Sequence, residues 1–214
     1  MKTQIRDAAL VSLALVGLAL ACEKSNAPSG PTASKVDGSA AQFSRSGSEG
    51  DRASESTQRV RWDIINIDAS GNVTAGGQNS AQANDGSTLT LTGSGTFQPG
   101  NPDDVTGGGT WTLGTSSGTY QVTRVVRFTP APGTFTFPTL TDQVGNPADA
   151  RAGLAVLEVE YSDQSRGVLL FSCSLKGTPP AVFEGSTASK GFVDFWNRAP
   201  HNATIFHVLH ESED

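Results

Sequence analysis

From residue 58 to residue 210, apolar and polar positions alternate with the period of two that marks half-buried β-strands. Val60, Trp62 and Ile64 alternate with Arg61 and Asp63. After the turn signal Asp85-Gly86, Leu89 and Leu91 alternate with Thr88, Thr90 and Thr92, and Gly93 and Gly95 then break or bend the strand. Trp111 and Leu113 alternate with Thr110 and Thr112, and the small residues 115–118 turn the chain. Tyr120, Val122, Arg124, Val126 and Phe128 fall on one face of the next strand. Ala155, Leu157, Val159 and Tyr161 share a face, with Glu158 and Glu160 behind them. A loop over 162–166 leads to Leu169, Phe171, Cys173 and Leu175. Placing Val159 opposite Leu169 and Leu157 opposite Phe171 keeps both apolar sets on one side. Residues 204–210 read as a last strand. Near 189–197 the period changes: Phe192, Phe195 and Trp196 stand at i, i+3 and i+4, the spacing of a short helix, with Gly191 its weak point.

The pattern predicts an all-β fold, a single antiparallel domain of about eight strands over 58–214. Hairpin-by-hairpin order favours a meander barrel over a β-sandwich, because closure removes the edge strands.

The first 21 residues follow another logic. Lys2 and Arg6 precede an apolar run from Ala8 to Ala21. Fourteen helical residues span about 21 Å, short of the roughly 30 Å hydrocarbon core of a bilayer. The run is therefore a signal peptide rather than a membrane span. It ends Leu18-Ala19-Leu20-Ala21-Cys22. Small residues before a Cys resemble a bacterial lipobox, although Ala19 stands where that motif usually carries Leu, Val or Ile. The resemblance implies cleavage before Cys22 and acylation of its sulfur, with the membrane as partner through the N-terminal lipid. Two or three acyl chains, at about 0.8 kcal/mol per buried CH₂, anchor a protein durably. Glu23, where Asp would resemble an inner-membrane retention signal, points to the outer membrane if the cell is Gram-negative. The expected location is the cell envelope.

Residues 22–57 separate the anchor from the strands. Beyond Cys22, Ser, Ala, Gly and Pro dominate, with Phe43 the sole aromatic and Val36 the sole branched aliphatic residue. Such a stretch buries too little apolar area to offset the entropy of ordering it. It reads as a flexible tether with a reach of about 30–35 Å.

Composition narrows the function classes. The 214 residues carry 15 Lys and Arg against 21 Asp and Glu, a net charge of −6. Removing residues 1–21 takes away Lys2, Arg6 and Asp7 and leaves −7. No basic stripe is present, so a nucleic-acid surface is excluded. Two Cys exclude a disulfide-stapled scaffold.

Four features of the sequence bear on chemistry. Arg124 shares an apolar face, and a charge there must be paired or wet. In a barrel it would reach the lumen and bind an anionic group, with His207 as a second lumenal candidate. His207 and His210 form an H-x-x-H, but in a strand they point to opposite faces, so no metal is assigned. Cys173 lies on an apolar face and reads as a packed core residue. Gly-Asn-Pro-x-Asp occurs at 100–104 and again at 145–149; two loops of similar turn chemistry are favoured over Ca²⁺ ligation. No nucleophile elbow, P-loop, dinucleotide-binding glycine pattern or H-E-x-x-H is present, so neither a catalytic set nor a cofactor is assigned. Asn202-Ala203-Thr204 is a glycosylation sequon of no expected use behind a bacterial-type signal.

The folded part resembles a group of exported bacterial β proteins with no assigned activity. The similarity is carried by Val60-Arg61-Trp62-Asp63-Ile64-Ile65, by the stretch 145–154 (GNPADARAGL) and by 186–197 (STASKGFVDFWN). It implies export and a single domain and adds no chemistry. Three functions stand as expectations: a lipid-anchored envelope protein acting as a binding or structural β domain; a barrel carrier or enzyme with a lumenal Arg124; and a carbohydrate-binding or adhesion sandwich, which would show a row of exposed aromatics.

Overall fold

Six antiparallel strands close into a barrel in the computed structural model, which describes residues 57–210. The signal peptide, Cys22 and nearly all of the tether lie outside the described residues. The barrel strands are β1 (Arg59–Ile67), β5 (Ser94–Gln98), β6 (Asn101–Leu113), β7 (Ser116–Ala131), β9 (Ala150–Tyr161) and β14 (Thr204–Leu209). They follow one another around the ring in chain order, and β14 seals it by pairing with β1 along its length and with Ala150 and Arg151 of β9. The expected meander is therefore present.

The chain leaves that meander in excursions that raise the strand total among the described residues to fourteen. β2 (Asn72–Ala75) pairs with the end of β1, and β8 (Thr141–Asp142) lies parallel to β2. β3 (Asn79–Gln82) and β4 (Thr88–Leu91) extend the sheet from β6. β10 (Arg166–Cys173), β11 (Gly185–Lys190) and β12 (Val193–Phe195) extend it from β9, and β13 (Asn197–Arg198) caps β3. The long strands make this possible. β9 gives one edge to β7 and divides the other between β14 and β10; β6 likewise serves β5 and β4 opposite β7.

The barrel is solid. Eight strands leave an interior just wide enough for side chains, and six leave less. Trp62, Phe97, Phe171, Phe206, Tyr161 and Leu157 fill it, each at most 1% exposed. Trp62 stacks on Phe171 at 4.5 Å between ring centroids. Phe97, Phe128 and Phe206 form a mutual triad at 5.3–6.4 Å. Each such side chain contributes about 1.5–3 kcal/mol by leaving water. The crossing with β6 and the Trp62 ring together require a glycine: a Cβ on Gly95 would stand 2.2 Å from the Thr106 carbonyl oxygen and 2.9 Å from the Trp62 indole nitrogen. Facing Gly95, Gly107 bends β6 at φ +99, and a Cβ there would meet the Ser94 carbonyl at 2.2 Å.

Three sequence expectations are corrected. The 189–197 segment is not a helix. Gly191, at φ +60, opens a two-residue hairpin loop between β11 and β12, a position glycine serves best. Phe195 then pairs with Ala188 and turns inward, while Phe192 and Trp196 stay exposed. The β9–β10 register is shifted by two residues: Val159 faces Gly167 and Leu157 faces Leu169. A shift of two preserves which face is buried, so hydrophobic pattern alone cannot detect it. Thirdly, β7 does not alternate throughout. Its register against β9 slips between Val122 and Arg124 and again between Val125 and Arg127. Each bulge adds a residue, so the inward set is Tyr120, Val122, Val125 and Phe128, and Val126 is exposed.

Candidate functional site

The first bulge moves Arg124 to the outside of the barrel. Its side chain is 49% exposed and lies 4.0 Å from Asp103. It borders an open groove of about 510 Å³ with Thr123, Glu158, Glu160 and Arg166, where charges of both signs mix. With the interior packed and Arg124 outside it, the lumenal site is overturned.

His207 is not lumenal either. Phe206 takes the inward position on β14, so His207 points outward beneath the loop that follows β7. Its Nε2 lies 2.8 Å from the Asp142 carboxylate, and both side chains are at most 3% exposed. Asp142 also accepts the Val144 and Gly145 N–H groups at 2.9 and 3.2 Å. The ring leaves no room above it: a Cβ on Gly145 would lie 2.7 Å from Cδ2. On β1, opposite His207, Arg61 grips the wholly buried Asp63 with two bonds of 2.8 and 3.0 Å and donates to the Val144 carbonyl at 3.1 Å. Burial pushes the Asp63 carboxyl above the usual range, with the bonds from Arg61 opposing. The cluster pins the 142–145 loop to the barrel wall.

His210 goes elsewhere, to Asp149 at 2.9 Å, so the H-x-x-H serves two separate carboxylates. That places the second Gly-Asn-Pro-x-Asp: Gly145 under His207, Asn146 capping the 3₁₀ turn Pro147–Asp149 through a bond from the Ala148 N–H at 3.1 Å, and Asp149 on His210. In the first copy Asp103 and Asp104 lie in β6, where Asp104 pairs with Arg59. Among the described residues no group of three or more His, Cys, Asp or Glu is placed to hold a metal. Cys173 is buried, and burial pushes its thiol well above the ordinary range. Asn202 of the sequon is buried too and clamps the Ser80 backbone at both ends, 2.9 and 2.8 Å.

Lys190 plugs one end of the core. Its side chain is 8% exposed, its Nζ bonds Asp163 and Ser165, and it sits 4.2 Å above the Trp111 ring. The bond from Lys190 draws the Asp163 carboxyl down to about 2.

One acid has no such partner. Glu184 precedes β11 at the border of a surface cleft of about 820 Å³. Its carboxylate oxygens accept the Ser174 and Thr204 N–H groups, both at 2.6 Å, and the Gly185 N–H, and lie 3.3 Å from the Thr204 hydroxyl, whose proton goes to the Ser172 carbonyl at 2.6 Å. Among the described residues no Lys, Arg or His stands within ion-pair distance. Arg198 is close, but donates to the Glu184 main-chain carbonyl at 3.2 Å and stacks on Phe183. Desolvation pushes the Glu184 carboxyl up to about 7, against the bonds that favour its ionised form. Opposite it the cleft presents Asn66 and Gln78, the apolar Ile65 and Ile67, and His201, which is held at φ +65. A non-glycine residue in that conformation is strained, and strain of this kind gathers at functional sites.

Sequence reasoning passed over Glu184. Its one signal is a lone acid between Phe183 and Gly185, within a run of small and apolar residues. Comparison with known protein families, curated proteins and solved structures finds no match to this chain.

Proposed function

We propose that the chain is a lipid-anchored protein of the cell envelope whose β domain acts by binding, with the ligand held in the Glu184 cleft rather than inside the barrel. The observation that carries the binding half is the contrast between a barrel filled by aromatic side chains and an open cleft bordered by an unpaired carboxylate. A concave site of several hundred Å³ with a few polar groups and a perturbed acid is the usual setting of small-ligand recognition. The Cys22 sequence and the 22–57 tether support the anchored half, and Phe192 and Trp196, two exposed rings that form no row, give a sandwich-type glycan platform no support. Expression in a Gram-negative host tests the anchor. Intact mass should show a chain starting at an acylated Cys22, and Cys22→Ser should move the protein out of the membrane fraction. A retained leader, or an unacylated Cys22 on a protein that partitions as before, refutes it.

A further inference from the structure

We infer that the Glu184 cleft takes a primary alkylammonium group, the carboxylate receiving the ammonium and Ile65 and Ile67 lining the path of its alkyl stem. The inference rests on the reading of the domain as a binding module and names the chemistry of its ligand.

The argument is one of charge accounting. A carboxylate withdrawn from water needs a counter-charge or enough hydrogen bonds to replace hydration. The two other acids so placed are held by side chains: Asp63 has the Arg61 guanidinium, and Asp142 has the His207 ring beside the Val144 and Gly145 N–H groups. Glu184 accepts the backbone N–H groups of Ser174, Thr204 and Gly185 and meets no cation. The Thr204 hydroxyl gives its one proton to the Ser172 carbonyl at 2.6 Å, so three donors leave one of the about four lone-pair positions of the carboxylate open. The cleft adds the side-chain amides of Asn66 and Gln78, and no Lys or Arg lines it. Anions are therefore disfavoured. A metal ion needs several hard oxygen ligands, and among the described residues no cluster of three acids or histidines supplies them. An ammonium needs fewer: one carboxylate and one or two neutral acceptors satisfy its three donors. The apolar residues fit a methylene stem, and Ile67 is 45% exposed, free to be covered.

The charged and titratable groups near Glu184 are His201 in the cleft, Arg198 on β13 and the Cys173 thiol behind it. A His201→Gln control therefore accompanies the pH comparison.

Calorimetric titration of the full chain in detergent with cadaverine tests the assignment. Cadaverine is a dication across the range used, since alkylamines titrate near 10. Binding is expected at pH 8.5, about tenfold weaker at pH 6, where most Glu184 carries a proton. The neutral isostere 1,5-pentanediol should not bind. Glu184→Gln should weaken cadaverine at least tenfold at pH 8.5, whereas His201→Gln should keep the tenfold pH ratio. The pentanediol and pH arms use the unaltered protein, so they stand even if a variant folds poorly. Equal binding of pentanediol, binding of Ca²⁺ in place of cadaverine, loss of the pH ratio with His201→Gln, or no cadaverine binding each overturns the ammonium assignment. Membrane partition of the Cys22→Ser variant is read separately, so failure of the anchor and failure of the ligand chemistry are distinguishable.

Discussion

Two regions of this domain withdraw carboxylates from water, and they do so differently. Beneath the 142–145 loop, Asp63 and Asp142 are wholly buried, and each meets a basic side chain within 3.0 Å. At the Glu184 cleft the acid meets only backbone N–H groups and a hydroxyl. The first arrangement fastens a loop to the barrel wall and leaves no space for a ligand, as the Gly145 contact with His207 demonstrates. The second leaves charge unbalanced beside open volume. Paired buried charge is a structural joint; unpaired charge at a cleft is a binding capacity held in reserve.

The largest effect should come from breaking the joint. Arg61→Met leaves Asp63 buried without its two bonds, and removing one partner of a buried pair costs about 3–5 kcal/mol. The sign with pH follows from the Asp63 carboxyl, already raised by burial. A raised acid is held more tightly by its proton in the folded state than in the unfolded one. Stability therefore falls as pH climbs through the window between the unfolded and folded values. Losing Arg61 widens that window upward. The deficit measured by urea unfolding should be greatest near pH 8 and shrink towards pH 4. If the double variant Arg61→Met with Asp63→Leu is no more stable than Arg61→Met alone, Asp63 is not the group left stranded.

The cleft should show a comparable effect from a single group. Glu184 titrates near 7 in the fold against an ordinary 4.5, and it too is a raised acid. The wild type therefore loses stability progressively between pH about 5 and 8, by about 3 kcal/mol. Glu184→Gln, which cannot ionise, should remove that slope while losing one of its backbone bonds. The difference between the two unfolding free energies, followed against pH, isolates Glu184. Parallel curves would mean that the acid is better hydrated than its surroundings imply, and the contrast between the regions would weaken.

How far the sequence discloses these regions depends on period. Alternation in β4 and over 154–161 of β9 survives into the structure, and with it the all-β class and the closed meander, whereas β1 buries Trp62, Asp63, Ile64 and Ile65 in succession. Two of the errors arise where an extra or special residue resets the phase, while the β9–β10 slip of two keeps the phase and leaves no mark in the pattern. Thr123 and Val126 are bulge residues that no alternation rule anticipates; the first turns Arg124 outward and the second leaves Val126 exposed. Gly191 converts an apparent helical spacing into a hairpin. The sites were less legible than the fold. His207 and Asp142 are 65 residues apart, and Ser174 and Thr204 meet Glu184 from two different segments. Arg61 and Asp63, by contrast, are two residues apart on one face of β1, where period two already sets them side by side.

Arg124 supplies the control for the whole contrast. It carries a full charge, lies in a groove and was the sharpest sequence candidate. Its counter-ion among the described residues, Asp103, is 4.0 Å away, and their side chains are 49% and 83% exposed. Water screens such a pair, and exposed pairs contribute about 0–1 kcal/mol. Arg124→Ala should therefore shift the unfolding free energy by no more than about 0.5 kcal/mol and leave cadaverine titration unchanged. A larger loss would place Arg124 in the packed wall after all, against the bulge that turns it out. Only an acid withdrawn from water and left without a cation should bring ligand affinity, pH and stability to bear on one residue, and here that residue is Glu184.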